Sequence, residues 1–382
     1  MKKIILGLLI LFAFNISCLA AEDIAPNSKS ALLMEMSTGK ILYEKNSHEQ
    51  LPPASMTKVM SMLLVMEAID DGIIKLTDEV QISETASSMG GSQVFLEAGE
   101  TYPVEELLKG VAIASGNDAV VALAEKVSGS VESFVEKMNQ RASELGMKDT
   151  VYKNPHGLDT EGHITTAYDM SIVARELLKH EKILEYTSVY EYYMKKPDES
   201  TTWLVNTNKL VRFYDGVDGL KTGFTSTAKY CLTATAKKND MRLITVVMGV
   251  ESSDLRSSDT VKLLNYGFNG YKLNVLKEKG EILKEVKVEK GVKDKVGLTL
   301  IDDATDLLKN DNAKKKYKYE VKINSVKAPV KIGDKVGIVK IVDEEGTLVK
   351  EADVTVTQNI KKANLFDYFK NNLKESLIGK NI

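Results

Sequence analysis

Cysteine is almost missing from this chain of 382 residues, which holds two, Cys18 and Cys231. Cys18 falls in an N-terminal leader, so the remaining chain has one thiol and no intramolecular disulfide is expected. Cys231 stands in a strand pattern and reads as a small core residue. Histidine is scarce as well. His48, His156, His163 and His180 show no metal-ligand spacing, so neither a metal nor a cofactor is expected. A dominant charge is also lacking. The 51 basic residues less the leader's two lysines leave 49 against 54 acidic ones, a net of −5. That mild balance argues against a nucleic-acid partner. Internal repeats and low-complexity tracts are absent.

Long apolar runs are missing after the start. Ile4–Phe14 is unbroken but only eleven residues long, too short to span a bilayer. Lys2 and Lys3 precede it and Ala20-Ala21 follow it, the layout of a secretory signal over residues 1–21. Export to the outer face of the cytoplasmic membrane, in the periplasm or cell-wall space, is the expectation. A retained N-terminal anchor is the alternative.

Residues 22–272 read as one mixed α/β domain. Ser30–Glu35 and Lys40–Glu44 flank a Ser37-Thr38-Gly39 turn, a hairpin signal. From Ser55, two apolar sets recur at helical spacing: Val59, Leu63 and Met66, and Met56, Met60 and Leu64. Helices are expected at Val104–Ala114, Asp118–Val127 and Asp169–Leu178. Two strands, Lys229–Lys238 and Met241–Val250, meet at Asn239-Asp240, a tight-turn pair. A closing helix begins at Thr260. From residue 273 to 359, short alternating runs such as Tyr319–Ile323 and Lys335–Val339 predict a small all-β domain. Residues 360–382 read as an amphipathic helix. Leu365, Phe366, Phe369, Leu373 and Leu377 fall on one face, and Lys361, Lys362, Lys370, Lys374 and Lys380 outnumber Asp367 and Glu375. Such a helix suits a membrane surface, or else packs on protein.

Three short motifs carry the chemistry: Ser55-Met-Thr-Lys58, Ser115-Gly-Asn117 and Lys221-Thr-Gly223. Ser-x-x-Lys occurs also at Ser37/Lys40 and Ser226/Lys229. Only Ser55 follows a Pro-Pro-Ala turn and opens an apolar helical run. A serine hydroxyl needs a base to become a nucleophile. At a helix start, residues i and i+3 share a face, so Lys58 can reach Ser55. To act as a base, Lys58 must lose its proton near neutrality. Desolvation and a nearby cation, for which Lys221 is the candidate, both push in that direction. Ser115 is the candidate relay between the two lysines, and Asn117 suits the orientation of Lys58 and a substrate amide. The helix N-terminus adds a field favouring an oxyanion.

This set resembles the penicillin-recognising serine acyl transferases. With Leu51–Lys58, Ala114–Asp118, Asn154-Pro-His-Gly-Leu-Asp159 and Asp218–Gly223, the chain closely resembles the D-alanyl-D-alanine carboxypeptidase family of low-molecular-mass penicillin-binding proteins. The resemblance implies a serine β-lactamase/transpeptidase-like domain with an antiparallel sheet and a helical cluster, then the β-rich domain and the amphipathic helix. It implies Ser55 as acylated nucleophile, Lys58 as base, and Ser115 and Asn117 as the second motif. Lys221 and Thr222 of Lys-Thr-Gly223 would hold a substrate carboxylate, with Arg256 in support. The backbone N–H groups of Ser55 and Phe224 would form the oxyanion hole. Phe224 stands where relatives carry histidine. The implied partners are a peptidoglycan pentapeptide ending in D-Ala-D-Ala, β-lactams, and a membrane surface through the C-terminal helix. Two rivals stay open at this point: a β-lactamase, against which no Glu-bearing deacylation loop is seen, and a non-catalytic wall-binding scaffold, against which all three motifs are intact.

Overall fold

The computed structural model describes residues 23–310, 316–364 and 367. The expected leader lies outside them, as does the expected C-terminal helix beyond residue 364, apart from Asp367.

The first domain starts with β1 (Ser30–Glu35) and β2 (Ile41–Lys45). A single 3-10 turn, Ala54–Thr57, leads into α1 (Lys58–Asp70). Then come α2 (Val104–Ala114), α3 (Asn117–Ser128), α4 (Val131–Glu144) and α5 (Ala167–Leu177). The hairpin of β3 (Glu191–Lys195) and β4 (Thr201–Val205) precedes β5 (Val217–Thr225), β6 (Lys229–Lys238) and β7 (Met241–Val250). The closing helix is α6 (Ser253–Gly270). The main sheet runs β2-β1-β7-β6-β5, antiparallel throughout.

Side-chain alternation on β1 splits the domain into layers. Leu32 and Met34 face a core shared with α1 to α5, while Ala31 and Leu33 face one shared with Leu263 and Leu264 of α6. The chain is thus helices, sheet, helix. α1 is apolar nearly all round because it is central: residues from Lys58 to Met66 are all buried. Each fully buried Leu or Met there stabilises the fold by about 1.5–3 kcal/mol.

Local signals explain the boundaries. The Glu35 carboxylate caps the β1–β2 turn, accepting from the N–H and hydroxyl groups of Ser37 and Thr38. Asn239 takes φ 52° in the β6–β7 turn, a conformation asparagine tolerates. α6 begins at Ser253 rather than Thr260, because Ser252 caps it by accepting from the Leu255 N–H at 3.2 Å. The polar Ser-Ser-Asp stretch, which looks like loop, is a helix start. α4 and the β3–β4 hairpin carry no strong sequence signal and were not anticipated.

The β-rich part begins with Tyr271–Lys277, which pairs with Ala304–Lys309. A six-stranded sheet follows, in the order Tyr317–Ile323, Gly337–Asp343, Leu348–Val356, Lys295–Leu300, Lys284–Glu289, Val326–Lys327. It has its own core around Leu298, Val339, Ile341 and Val354. It touches the first domain where Leu307 joins the α6-side core and where Ser37 Oγ meets Thr305 Oγ1 at 3.1 Å. Ile360, 2% exposed, belongs to this core and pairs with Val330, and Lys362 pairs with Gly291. Residues 360–364 are therefore part of the β-rich unit, not the first turn of a helix. Among the described residues no helix is long and apolar enough to cross a membrane.

Candidate active site

The first two motifs sit on two helix ends and the third on an edge strand. Ser55 lies in the 3-10 turn before α1, and Lys58 is the first residue of α1. Lys58 Nζ lies 2.9 Å from Ser55 Oγ, the one-turn reach expected from the spacing. Ser55 is half-buried, whereas Lys58 is completely buried. Lys58 Nζ also donates to Asn117 Oδ1 at 2.6 Å and to the His156 carbonyl at 2.8 Å. The Asn117 amide orientation is fixed by its own N–H, which donates to the Gly90 carbonyl at 2.7 Å.

These contacts determine what Lys58 can do. A neutral amine has two N–H groups and one lone pair. Asn117 Oδ1 and the His156 carbonyl are acceptors only, and they take both N–H groups. The lone pair is left facing the Ser55 hydroxyl. The pKa is displaced to match: burial holds Lys58 well below the ordinary lysine value, the nearby Lys221 charge lowers it further, and Asp118 opposes both.

Asp118, next to Asn117 at the start of α3, clamps the wall opposite. Its carboxylate accepts from the N–H groups of Val94 at 3.0 Å, Leu96 at 3.2 Å and Ala119 at 2.9 Å. The Asn117 N–H donates to the Ser92 carbonyl at 2.7 Å. Ser115 caps α2 in the left-handed region, at φ 66°. Its hydroxyl is buried and has no hydrogen-bond partner among the described residues. The relay expected between the two lysines is therefore not closed in this state.

The third motif lies on β5. Lys221 is 1% exposed, far from the surface position lysine usually takes, and its Nζ donates to the Thr222 carbonyl at 3.2 Å. Burial and then the charge of Arg256 lower its pKa to about 7. Arg256 is also buried. It gives one N–H to Ser253 Oγ at 3.1 Å, while its Nε has no partner among the described residues. The Thr222 hydroxyl donates to Thr207 Oγ1 at 2.7 Å. Gly223 is required by close approach: a Cβ there would lie 2.8 Å from the Pro53 carbonyl and 3.1 Å from the Ala54 Cβ. Phe224 is 54% exposed with its ring 4.4 Å from that of Tyr230. Asp218, upstream on β5, is structural; its carboxylate takes both guanidinium nitrogens of Arg242, at 2.7 and 2.8 Å.

The loop from Asn154 to His163, which begins with the Asn154–Asp159 segment of the family resemblance, borders the site. Its His156 carbonyl holds Lys58, and Gly157 presses on the turn that carries Ser55. His163 Nδ1 accepts from the Lys153 N–H at 3.0 Å, so Nε2 carries the proton and donates to Thr57 Oγ1 at 2.8 Å. Thr57 in turn donates to the Ala54 carbonyl at 2.8 Å. Burial pushes His163 down to about 4, and burial with the Lys58 charge pushes His156 down to about 3, so both rings are neutral. A cavity of ≈ 360 Å³ lies between Pro52–Ala54 and this loop. It borders the site but is not lined by Ser55 or either lysine. Thr207, Asp118 and the His156 and Gly90 carbonyls were not singled out from sequence. Backbone acceptors leave no trace in residue type, and Thr207 gains meaning only from the strand it meets. Among the described residues no group of three or more His, Cys, Asp or Glu side chains is placed to hold a metal ion.

Fold and site together define a class, a serine enzyme of the mixed α/β, transpeptidase-like kind with an all-β domain behind it. Comparison with known proteins narrows it. The family model described as D-alanyl-D-alanine carboxypeptidase matches residues 18–252, and that of the penicillin-binding protein 5 C-terminal domain matches residues 271–362. The D-alanyl-D-alanine carboxypeptidase DacF of Bacillus subtilis is 47% identical over 380 residues, covering 97% of each chain. DacC of Escherichia coli is 34% identical over 94% of this chain and 92% of its own. The crystal structure of penicillin binding protein 5 from Haemophilus influenzae superposes with a TM-score of 0.70 at 33% identity, over 88% of this chain and 98% of that one. The chain belongs to the D-alanyl-D-alanine carboxypeptidase family of low-molecular-mass penicillin-binding proteins.

Proposed function

We propose that Ser55 is the nucleophile of a serine-type carboxypeptidase that removes the terminal D-alanine from peptidoglycan stem peptides. The observation that carries this is the buried environment of Lys58, whose Nζ lies 2.9 Å from Ser55 Oγ and has two separate acceptors for its N–H groups. Lys58 takes the hydroxyl proton as Ser55 Oγ bonds to the carbonyl carbon between the two D-alanines. The C–N bond breaks, the leaving amine receives the proton, and D-alanine departs. Water then attacks the Ser55 ester and releases the shortened peptide. The N–H groups of Ser55 and Phe224 serve the oxyanion. Lys221, Thr222 and the unpartnered Nε of Arg256 form the cationic pocket for the terminal carboxylate. Ser115 closes between the lysines when substrate fills the space. A β-lactam acylates Ser55 through its ring amide, and its amine stays tethered, so release is slow.

The enzyme is read as exported, acting outside the cytoplasmic membrane. Residues from 365 onward are proposed to rest on the membrane surface through Leu365, Phe366, Phe369, Leu373 and Leu377.

The test is direct. Incubated with a peptide ending in D-Ala-D-Ala, the protein releases free D-alanine, and penicillin adds its mass to the peptide containing Ser55. Ser55→Ala abolishes both. An adduct on Ser37 or Ser226, or D-alanine release by Ser55→Ala, defeats the assignment. Rapid penicillin turnover would favour a β-lactamase.

A further inference from the structure

The chain has a single tryptophan, and the fold does not bury it. Trp203 on β4 is 58% exposed and stands directly opposite Tyr193 on β3, which is 61% exposed. Alternation along the hairpin turns Met194 and Leu204 inward, where both are buried in the helical core. Glu191, Tyr193 and Lys195 of β3 and Thr201, Trp203 and Val205 of β4 share the outer face. Two adjacent exposed rings are costly to leave in water and mark a contact surface.

The hairpin is tied to the cleft at both ends. At its tip, Lys196 donates to the Phe95 carbonyl at 3.0 Å. Phe95 belongs to the segment held by Asp118, whose Ser92 and Gly90 carbonyls bond Asn117. At its base, the chain passes through Thr207, whose N–H donates to the Ile113 carbonyl of α2 and whose Oγ1 accepts from the Thr222 hydroxyl on β5. The hairpin that carries the two rings is therefore bonded at both ends to segments that carry candidate-site residues.

We propose that the Tyr193–Trp203 face is a carbohydrate-docking surface that holds the glycan strand of the polymer whose stem peptide occupies the cleft. The proposal rests on the substrate reading above. A pyranose ring has an apolar C–H face and a rim of hydroxyl and acetamido groups. The C–H face stacks on an aromatic ring. The rim meets Glu191, Lys195 and Thr201, which offer both charge signs and a hydroxyl around the rings. Two rings suit one or two sugars. The outer face of the hairpin holds six residues, against about 20–30 a side in a stable protein interface. Because glycan and stem peptide are one covalent molecule, a weak sugar contact raises the local concentration of peptide at Ser55.

Trp203 is its own reporter. The described chain without its leader is titrated with peptide-free glycan strands of alternating N-acetylglucosamine and N-acetylmuramic acid, reading intrinsic tryptophan emission. A saturable change in intensity or wavelength is expected, and Tyr193→Ala weakens it about tenfold. In the activity arm, Tyr193→Ala and Trp203→Ala release D-alanine from a short soluble peptide within about twofold of the parent rate. Both lose about tenfold in kcat/KM on un-cross-linked glycan-linked polymer, in line with the affinity lost. Unchanged emission with glycan, together with equal loss or no loss on both substrates, overturns the proposal. Concentration-dependent dimerisation abolished by Trp203→Ala, without a glycan response, would assign the face to a second copy instead. If the parent releases no D-alanine at all, the substrate reading fails, while the emission titration still tests the glycan contact on its own.

Discussion

At the residue scale, the two buried lysines invert the usual role of the side chain. Lysine in water keeps its proton to about pH 10.4. Burial lowers both, helped by the Lys221 charge at Lys58 and by the Arg256 charge at Lys221; Lys58 falls strongly and Lys221 to about 7. The consequences have opposite signs. In the proposed mechanism Lys58 works deprotonated, so kcat/KM should rise as pH passes upward through its depressed pKa. In the proposed mechanism Lys221 works protonated, so kcat/KM should fall as pH passes about 7 in the free enzyme. A bound carboxylate favours the charged form of Lys221, so the falling limb of kcat should lie at higher pH than that of kcat/KM. Lys221→Arg, which cannot lose its proton, should remove the falling limb. Lys58→Arg should lose acylation by about 10²–10⁴-fold while remaining folded. Falling limbs that coincide in kcat and kcat/KM and survive Lys221→Arg would show that another group titrates.

At the element scale, the turn before α1 is held from outside itself. Ala54 carries φ 47°, a left-handed conformation that a non-glycine residue adopts only under support. Thr57 and His163 supply that support by hydrogen bonds, and Gly157 and Gly223 by approaching so closely that no side chain fits. At Gly157, φ is +91° and a Cβ would lie 1.9 Å from the Ala54 carbonyl oxygen. Gly157→Ala should therefore destabilise the protein by more than about 3 kcal/mol or push the turn away. Either way penicillin acylation of Ser55 should fall steeply, since a displacement of about 1 Å can cost 10²-fold. The check is a melting curve with an acylation rate. A variant matching the parent in both would mean that the loop yields freely and does not position Ser55.

At the scale of the whole molecule, the first domain and the β-rich unit meet at Leu307 in the α6-side core and at the Ser37–Thr305 contact. The proposed surface helix must be tested with the β-rich unit left whole. Ile360 and Lys362 pair with Val330 and Gly291, so a cut after Asn359 would damage that unit. Truncation after Asn364 spares it. The shortened protein should leave anionic vesicles, keep its activity on soluble peptide, and melt as the parent does. Removed with the tail are Lys370, Lys374 and Lys380, each worth about 1 kcal/mol near an anionic surface. Added salt should weaken binding of the parent without ending it, because apolar insertion remains. Continued sedimentation of the truncated protein with vesicles would place the anchor elsewhere.

Much of this protein was legible from residue order alone. Ser55 and Lys58 were readable as partners because one helical turn fixes their separation, and that relation is local. The β6–β7 hairpin was readable because Asn239-Asp240 suits a tight turn, and the α1 core because its apolar residues recur with helical period. What the sequence could not carry is everything set between distant segments. α4 was missed because its short apolar stripe is interrupted by charge, and the β3–β4 hairpin because only one face is buried. Lys221 and Arg256 look like surface residues until the sheet buries them side by side. The His156 carbonyl that holds Lys58 belongs to the backbone, which every residue shares, so only the folded path of the Asn154–His163 loop could bring it to the site. The three motifs name the candidate reacting groups; the displacement of their pKa values follows from burial and neighbouring charge, which exist only once the chain has folded.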